Sequence, residues 1–247
     1  MLINTNINII GGLPDFNLIR YFLFENKSDV KNHSEYTTIR TLKSVKRFKK
    51  AIRESFVSSN DDLNTISQLL IKNENPTKIN FALFLIFSVN NDLFHYLNEN
   101  VFFPIYYSGR KIIKKEEVLI CLKDLQKKID ALNSWSESTI NSTASKYLTL
   151  LKKFGLLSGI RNKEIVYKNL SSEEFIIFIY FLSIVDQNSN KINSNWIKYS
   201  FNENDFFVKK VMDRKLIPFF EIKFNGDNLK LVPTINFDKL YEKLKSS

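Results

Sequence analysis

The 247-residue chain carries 36 Lys and Arg against 26 Asp and Glu, so its formal net charge is +10. That excess favours polyanionic partners such as nucleic acids. A hydrophobic share of 44% with 22 Phe supports a substantial core and excludes general disorder. The single cysteine, Cys121, excludes an internal disulfide and fits a reducing compartment.

Two apolar runs, Phe81–Val89 and Phe175–Val185, are only nine and eleven residues long. Both fall short of the roughly 20 residues that a helix needs to cross a bilayer. The opening MLINTNINIIGG also lacks the basic cluster and long apolar region of a signal peptide. We therefore expect a soluble protein in which the two runs are buried helices, with no membrane partner.

Residues 1–107 are predicted to form a helical bundle, with helices near 15–25, 36–56, 61–72, 78–90 and 91–100, the last ending near Phe103–Pro104. The second of these helices carries seven cations without an intervening acid: Arg40, Lys43, Lys46, Arg47, Lys49, Lys50 and Arg53. Like charges at this spacing lower helix stability. Two interpretations remain open: a nucleic-acid phosphate backbone offsets the repulsion, or the face is solvated and pairs with acids elsewhere in the fold.

Residues 108–170 have the element order of a winged helix-turn-helix. The sequence predicts a short strand at 110–113, helices at 116–129 and 135–154, and two strands at 156–160 and 164–168. The second helix has the strongest signal, WSESTINSTASKYLTLLKKFGLL, from Trp135 to Leu157. It opens with a capping-box spacing from Ser134 to Glu137 and stops at Gly155, which can adopt the left-handed conformation. Its apolar residues recur at three- and four-residue steps: Ile140, Ala144, Tyr147, Leu148, Leu151 and Phe154.

The opposite face of this helix is small, hydroxyl- and amide-rich, and basic at its far end. Such a surface suits a duplex groove, because short polar side chains let the backbone approach and lysines reach phosphates. The residues predicted to enter the groove are Ser138, Thr139, Asn141, Ser142 and Lys146. Arg161 and Lys163 would contact the flanking backbone from the wing, and Arg40, Lys43, Arg47 and Lys50 would extend the phosphate contacts. The alternative is an amphipathic surface helix whose lysines only complement its C-terminal dipole.

The last third, residues 171–247, is predicted as a C-terminal α/β extension that resembles a second winged helix. Two serines and two acids at Ser171–Glu174 predict an N-terminal cap that opens a helix at 173–187. We further expect an extended segment at 192–199, a helix at 205–215, a hairpin turning at Asn225–Asn228 and a helix at 237–245. The whole chain is thus expected to be mostly α.

Catalytic signals are weak. The two histidines, His33 and His95, are far apart and have no cysteine or paired acid at metal-ligand spacing. Cys121 lies on the inner side of an amphipathic helix, where a cysteine usually serves as a small hydrophobe. We therefore expect no enzyme, no cofactor, no metal site and no small-molecule substrate.

The block SWSESTINSTASKYLTLLKKFGLLSG resembles the BrxA family of bacterial BREX phage-defence systems, in which a W-S-x-S-T run opens a helix that ends in K-x-x-G-L-L. The segments GGLPDFNLIRYFLFE and TTIRTLKSVKRFKKAI are similar to the opening helix and the basic helix of that family. The resemblance covers about Gly11 to Leu157. It implies a cytoplasmic, non-catalytic accessory protein that binds double-stranded DNA and works beside other BREX components.

The rival hypothesis is a protein–protein scaffold of the BREX complex, in which the aromatic-rich last third contacts a larger component and the positive charge only aids solubility. RNA binding is a weaker alternative, because the sequence lacks the aromatic motif of an RNA-binding sheet.

Overall fold

A computed structural model describes residues 4, 6–24, 39, 41–71, 75–186, 188 and 190–246. Over these residues the chain is mostly helical, with one three-stranded and one two-stranded sheet. The prediction of a mostly α chain is therefore correct. The chain divides into two compact units, residues 1–58 with 74–166 and residues 59–73 with 167–247. Both the predicted bundle and the predicted winged helix fall mainly in the first unit, and the three-part division stays a prediction.

The described residues form helices and strands, which are numbered in chain order. The helices are α1 (Asn6–Ile10), α2 (Leu18–Phe24), α3 (Leu42–Phe56), α4 (Asp61–Ile71), α5 (Pro76–Asn90), α6 (Asp92–Leu97), α7 (Phe103–Tyr107), α8 (Lys115–Gln126), α9 (Glu137–Lys153), α10 (Ser172–Val185), α11 (Asn204–Val211) and α12 (Phe237–Ser246). The strands are β1 (Ile112–Ile113), β2 (Leu157–Ser158), β3 (Lys163–Ile165), β4 (Phe220–Phe224) and β5 (Leu229–Pro233). A π-helical turn, Asn98–Phe102, joins α6 to α7.

Several helix boundaries in the first unit differ from the prediction, and two of the differences have a clear local cause. Helix α3 begins at Leu42 rather than Tyr36, because Thr41 is extended and its hydroxyl accepts a hydrogen bond from the backbone N–H of Ser44. Residues 36–38 and 40 lie outside the described part of the chain. The helix predicted to end near Pro104 continues to Tyr107, because Pro104 falls in the first turn of α7, where its missing N–H has least effect.

Two predictions for the last third are wrong. Residues 192–199 are not extended but form 3-10 turns, at Lys191–Asn193 and Asn195–Ser200. Asn190 and Ser194 start these turns, since each side-chain oxygen accepts a backbone N–H two residues later. The helix predicted at 205–215 ends at Val211, and a separate 3-10 turn covers Arg214–Leu216.

The first unit is built around α5 and a cluster of aromatic rings. Helix α5 is buried at nine positions, on all its sides. Phe84 and Phe87 of this helix meet Phe94 of α6 and Phe154, with ring centroids 4.8–6.1 Å apart. Because Phe154 is the residue that directly follows α9, the C-terminal end of α9 is anchored in this cluster.

A buried chain of hydrogen bonds fixes the middle of α9 to the same core. The hydroxyl of Tyr147 donates to Oδ1 of Asn98 at 2.9 Å, and Nδ2 of Asn98 donates to the hydroxyl of Ser88 at 3.3 Å. Ser88 in turn donates to the carbonyl of Phe84 at 2.7 Å. The chain therefore connects α9, the π-helical turn and α5.

The three-stranded sheet of the first unit has the order β1–β3–β2, and all its pairs are antiparallel. Ile113, Leu157 and Ile165 contribute one buried side chain from each strand. Strand β3, which follows α9, thus pairs both with β2 and with β1, the strand that precedes α8.

The second unit is built around α10, which is apolar on all sides and buried from Glu174 to Leu182. The predicted cap is confirmed: the hydroxyl of Ser171 accepts from the N–H of Glu174, and the Glu174 carboxylate accepts from the N–H of Ser171. The predicted hairpin is also confirmed, with β4 and β5 antiparallel around Asn225–Asn228. Among the described residues, no helix has both the length and the apolar character to cross a membrane.

The buried Tyr147 hydroxyl is the basis of a stability prediction. Tyr147→Phe should lower the free energy of unfolding by about 1–3 kcal/mol, because it removes the donor to the buried Asn98 oxygen without changing the ring. Urea unfolding followed by circular dichroism measures the change. Ser142→Ala deletes an exposed hydroxyl from the same helix and should leave stability equal or slightly higher. Equal stability of Tyr147→Phe and the parent protein would contradict the role of the hydrogen-bond chain.

Candidate nucleic-acid interface

Helix α9 begins two residues later than the sequence predicts. Its N-cap is Ser136, whose hydroxyl accepts from the N–H of Thr139 at 3.2 Å, so the capping box predicted at Ser134 is wrong. The N–H of Trp135 donates to the carbonyl of Leu132, which keeps Ser134 in the preceding turn. The Glu137 carboxylate instead pairs with Lys123 of α8, at 2.8 Å.

The end of α9 agrees with the prediction. Gly155 has a φ of 74°, its N–H bonds to the carbonyl of Lys152, and the N–H of Leu156 bonds to the carbonyl of Leu151. This pair of bonds is a Schellman motif, which ends the helix and turns the chain directly into β2.

The helix is buried on more of its surface than the sequence indicates. All six residues of the predicted apolar stripe are buried, and so are Thr143 and Leu150 next to it. The additional burial comes from α1, which packs against α9 as well as against α3. The exposed face of α9 is therefore narrower than predicted.

The segment of residues 8–16, which begins inside α1, contacts α9 at several points along the helix. Nδ2 of Asn8 donates to the hydroxyl of Thr143 at 3.0 Å. Gly11 lies so close that a Cβ there would be 2.9 Å from both Cβ and the carbonyl oxygen of Lys146. Further along, Nζ of Lys153 donates to the carbonyl of Leu13 at 2.5 Å. Only a glycine at position 11 permits this approach of the turn after α1 to the backbone of α9.

Two lysines of α9 lie against this segment rather than in open solvent. Lys146 is half-buried, and its ammonium group lies near Gly12. Burial lowers the pKa of Lys153, and the neighbouring Lys146 charge lowers it further, while Asp15 opposes the shift. The structure therefore gives Lys146 a packing role that the sequence did not indicate.

What α9 leaves exposed is a strip of small polar side chains, which we call the polar stripe: Ser138, Asn141, Ser142, Ser145, Thr149 and Lys152, all exposed or half-exposed. Asn141, Ser145 and Thr149 each donate to the carbonyl four residues earlier, at 2.8–3.0 Å. These bonds hold the side chains close to the helix and leave their oxygens available as acceptors. The polar stripe is therefore low in relief and able to approach a partner closely. Thr139 lies off the stripe, where its hydroxyl bonds to Ser136 at the cap.

The loop of residues 159–162 joins β2 to β3, and we call it the wing loop. Nζ of Lys152 donates to the carbonyl of Gly159 at 2.9 Å, and Nζ of Lys163 donates to the carbonyl of Ile160 at 2.8 Å. Arg161 is exposed and has no ion pair within the described ranges. Arg161, Lys163 and Lys152 thus bring three cations to one hairpin at the end of α9.

Helix α3 presents an exposed basic face. Lys43, Lys46, Arg47, Lys50 and Arg53 are exposed. The nearest acid on the helix is Glu54, which is 3.7 Å from Lys50. Arg40, the fourth cation predicted to contact phosphates, lies outside the described residues.

The structure thus places the predicted residues in three groups within one unit. Ser138, Asn141 and Ser142 share the polar stripe of α9, Arg161 and Lys163 share the hairpin at its C-terminal end, and Lys43, Arg47 and Lys50 share α3. The sequence did not indicate the exposure of Ile160, the contact of Lys152 with the wing loop or the packing of Gly11 on α9. The Gly11–Gly12 pair was the only available signal for that contact.

Three other residues have side chains of the kinds that serve in catalysis or metal binding: His33, His95 and Cys121. His95 is half-buried on α6, His33 lies outside the described residues, and no group of three potential metal ligands occurs in the described ranges. Burial, with a smaller effect of Asp124, raises the pKa of Cys121 to about 11, which keeps the thiol protonated at neutral pH. Cys121 borders an open cleft of about 390 Å³ between α8 and the α6–α7 region.

A model of the BrxA family matches residues 25–177, which is more than half of the chain. The chain also resembles the crystal structure of an uncharacterized protein from Magnetospirillum magneticum, with a TM-score of 0.57 and 14% identity over 81% of this chain and 98% of the other. At that identity the likeness concerns the fold alone. The comparison with curated proteins returned no match.

These findings define a mostly helical protein associated with phage defence. The chain belongs to the BrxA family, whose members are accessory components of BREX systems.

The raised pKa of Cys121 predicts slow alkylation. At pH 7.5 the thiol should react with iodoacetamide at least tenfold more slowly than free cysteine, because the thiolate is the nucleophile and its fraction falls about tenfold per unit of pKa. Mass spectrometry of the intact protein measures the rate, which should climb with pH toward about 11. A rate equal to that of the free amino acid would contradict the burial of the group.

Gly159 is the basis of a prediction about the wing loop. Its φ is +77°, and a Cβ there would lie 2.1 Å from the carbonyl oxygen of Asn162. Gly159→Ala should therefore rearrange the loop, visible as amide NMR shifts in residues 157–165. Gly109→Ala is a matched control, because Gly109 has a φ of +75° with no atom within 4 Å. The control should cost only the left-handed strain, about 1–2 kcal/mol, without rearrangement. Equal spectral changes in both variants would contradict this account of the loop.

Proposed function

We propose that this protein binds double-stranded DNA without a catalytic step, as part of BREX defence, and that α9 and the wing loop form the contact surface. The observation that carries the proposal is the polar stripe of α9, which ends at Lys152 against the hairpin that carries Arg161 and Lys163. It combines groups that can face base edges with groups that can face phosphates.

The order of the elements supports a winged helix-turn-helix as the framework. Strand β1, helices α8 and α9 and strands β2 and β3 follow each other in that order, and the sheet order is β1–β3–β2. In such a framework α9 is the recognition helix and the wing loop contacts the duplex beside it. Gln126 steadies the connection between the helices, since its Nε2 donates to the carbonyls of Leu132 and Trp135 at 3.0 Å.

The chemistry of the polar stripe favours sequence-tolerant binding. Hydroxyl groups whose proton already bonds to a helix carbonyl can accept from the amino groups of several bases, and the second side-chain N–H of Asn141 can donate to a base or a phosphate. The bidentate Arg contact to guanine, which gives the strongest base discrimination, has no candidate on the exposed stripe of α9. Affinity would then come mainly from phosphates, with the exposed cations of α3 as additional contacts.

A scaffold role is a second candidate, favoured by the cleft beside Cys121. Ile120 borders this cleft and is 62% exposed, so it offers apolar surface that a partner could bury. The cleft lies on α8, and a BREX component that contacts Ile120 there is compatible with DNA on α9.

The test is binding to fluorescent duplex DNA, duplex RNA and single strands, followed by anisotropy over a range of salt concentrations. We expect duplex DNA to bind most tightly, with log affinity falling against log salt at a slope of roughly −4 to −7. Ser142→Glu should abolish binding, because it places a bulky negative charge in the middle of the polar stripe. Lys43→Gln/Arg47→Gln/Lys50→Gln should weaken binding and flatten the slope by about two to three units.

A matched control removes the same charge from the second unit. Lys215→Gln/Lys230→Gln/Lys239→Gln changes three exposed lysines there and should leave the affinity nearly unchanged. Equal losses in the two triple variants would attribute binding to net charge alone. A parent protein that does not bind duplex DNA at low salt would refute the proposal and favour the scaffold.

A further inference from the structure

Ile160 is the most exposed large hydrophobic side chain in the described part of the protein, at 85%. It lies in the wing loop, next to Arg161 and between two lysines that bind the loop carbonyls. Contact of this side chain with apolar groups of a partner would remove its surface from water and is therefore favourable.

Side-chain hydrogen bonds and a tight turn at Gly159 fix the conformation of the wing loop. The ammonium groups of Lys152 and Lys163 bond to the carbonyls of Gly159 and Ile160, and Gly159 folds so tightly that its Cβ position is occupied by the Asn162 carbonyl. The Ile160 and Arg161 side chains are left at the surface, since both residues are exposed. A loop fixed in this way presents a narrow tip with one apolar and one cationic side chain.

We infer that this tip enters the minor groove of duplex DNA, with Ile160 against the deoxyribose walls and Arg161 toward the groove floor. The inference rests on the proposed function and assigns the groove that the wing loop contacts. The minor groove is about 6 Å wide, which admits a two-residue tip but not a helix. Apolar side chains and arginine are the residues that minor-groove proteins insert, and narrow A·T-rich grooves attract arginine most strongly.

If the tip contacted only phosphates, the Ile160 side chain would have no apolar group to pack against. Phosphate oxygens accept hydrogen bonds and attract cations, whereas the inner walls of the minor groove expose sugar carbons. The pairing of Ile160 with Arg161 therefore favours the groove over the flanking backbone. A docking site for another protein is the alternative use of an apolar tip, and the experiment separates the two.

The experiment compares three duplexes of one length: A·T-rich, G·C-rich, and the G·C-rich sequence with inosine in place of guanine. Inosine removes the amino group from the minor groove and leaves the major-groove edge unchanged. The parent protein should bind the A·T and inosine duplexes with similar affinity, about fivefold or more above the G·C duplex. Ile160→Ser should weaken binding to the A·T duplex about tenfold, and Arg161→Gln should abolish the preference for inosine over guanine.

Ile120→Ser is the matched control, because it removes an exposed isoleucine from α8 in the same unit and should change no affinity. Circular dichroism and thermal unfolding should be unchanged for all three variants. If the parent protein binds duplex DNA but Ile160→Ser binds equally well, or inosine has no effect, the minor-groove inference is wrong and the proposed function stands. If the parent protein binds no duplex, both fall together.

Discussion

The contacts of Phe154 with three phenylalanine rings of α5 and α6 anchor the C-terminal end of α9. Phe154 follows the last residue of α9, and its ring meets those of Phe84, Phe87 and Phe94 from the helical core. Burying one phenylalanine contributes about 1.5–3 kcal/mol, and edge-to-face contacts add to it. Because Gly155 turns the chain immediately after this anchor, the direction of β2 and the position of the wing loop depend on the same cluster.

The N-terminal segment adds a second constraint on α9. With the aromatic core on one side and α1 on the other, most of the helix surface is used for packing. The close approach at Gly11 shows how little space separates the two backbones. A helix held on two sides can present a narrow stripe in a fixed orientation, and a rigid surface of this kind loses little conformational entropy when it binds a partner.

The cores of the two units are built in the same way. Each has one helix, α5 or α10, that is apolar all round and enclosed by its neighbours. These helices contain the two runs that could suggest membrane segments, and their length already argued against that interpretation. A helix of this kind needs partners on every side. The exposed cations of α3 and of the wing loop are not needed for this packing, which is why they are the residues with which we associate DNA.

Local patterns determined the helical class, the caps at Ser171 and Gly155, the two hairpins and the buried stripe of α9, because these depend on neighbours within a few residues. Tertiary structure alone decided which polar residues of α9 remain accessible. Lys146 and Thr143 look like surface residues in the sequence, yet α1 packs over them from more than 130 positions earlier in the chain. Whether a residue is buried depends on which other parts of the chain pack against it. Helical periodicity predicts only the apolar side of a helix, and not a second side that a distant segment covers. The same reason explains why Ile160 escaped notice: an isoleucine in a predicted strand is expected to be buried, and only the loop geometry shows it in solvent.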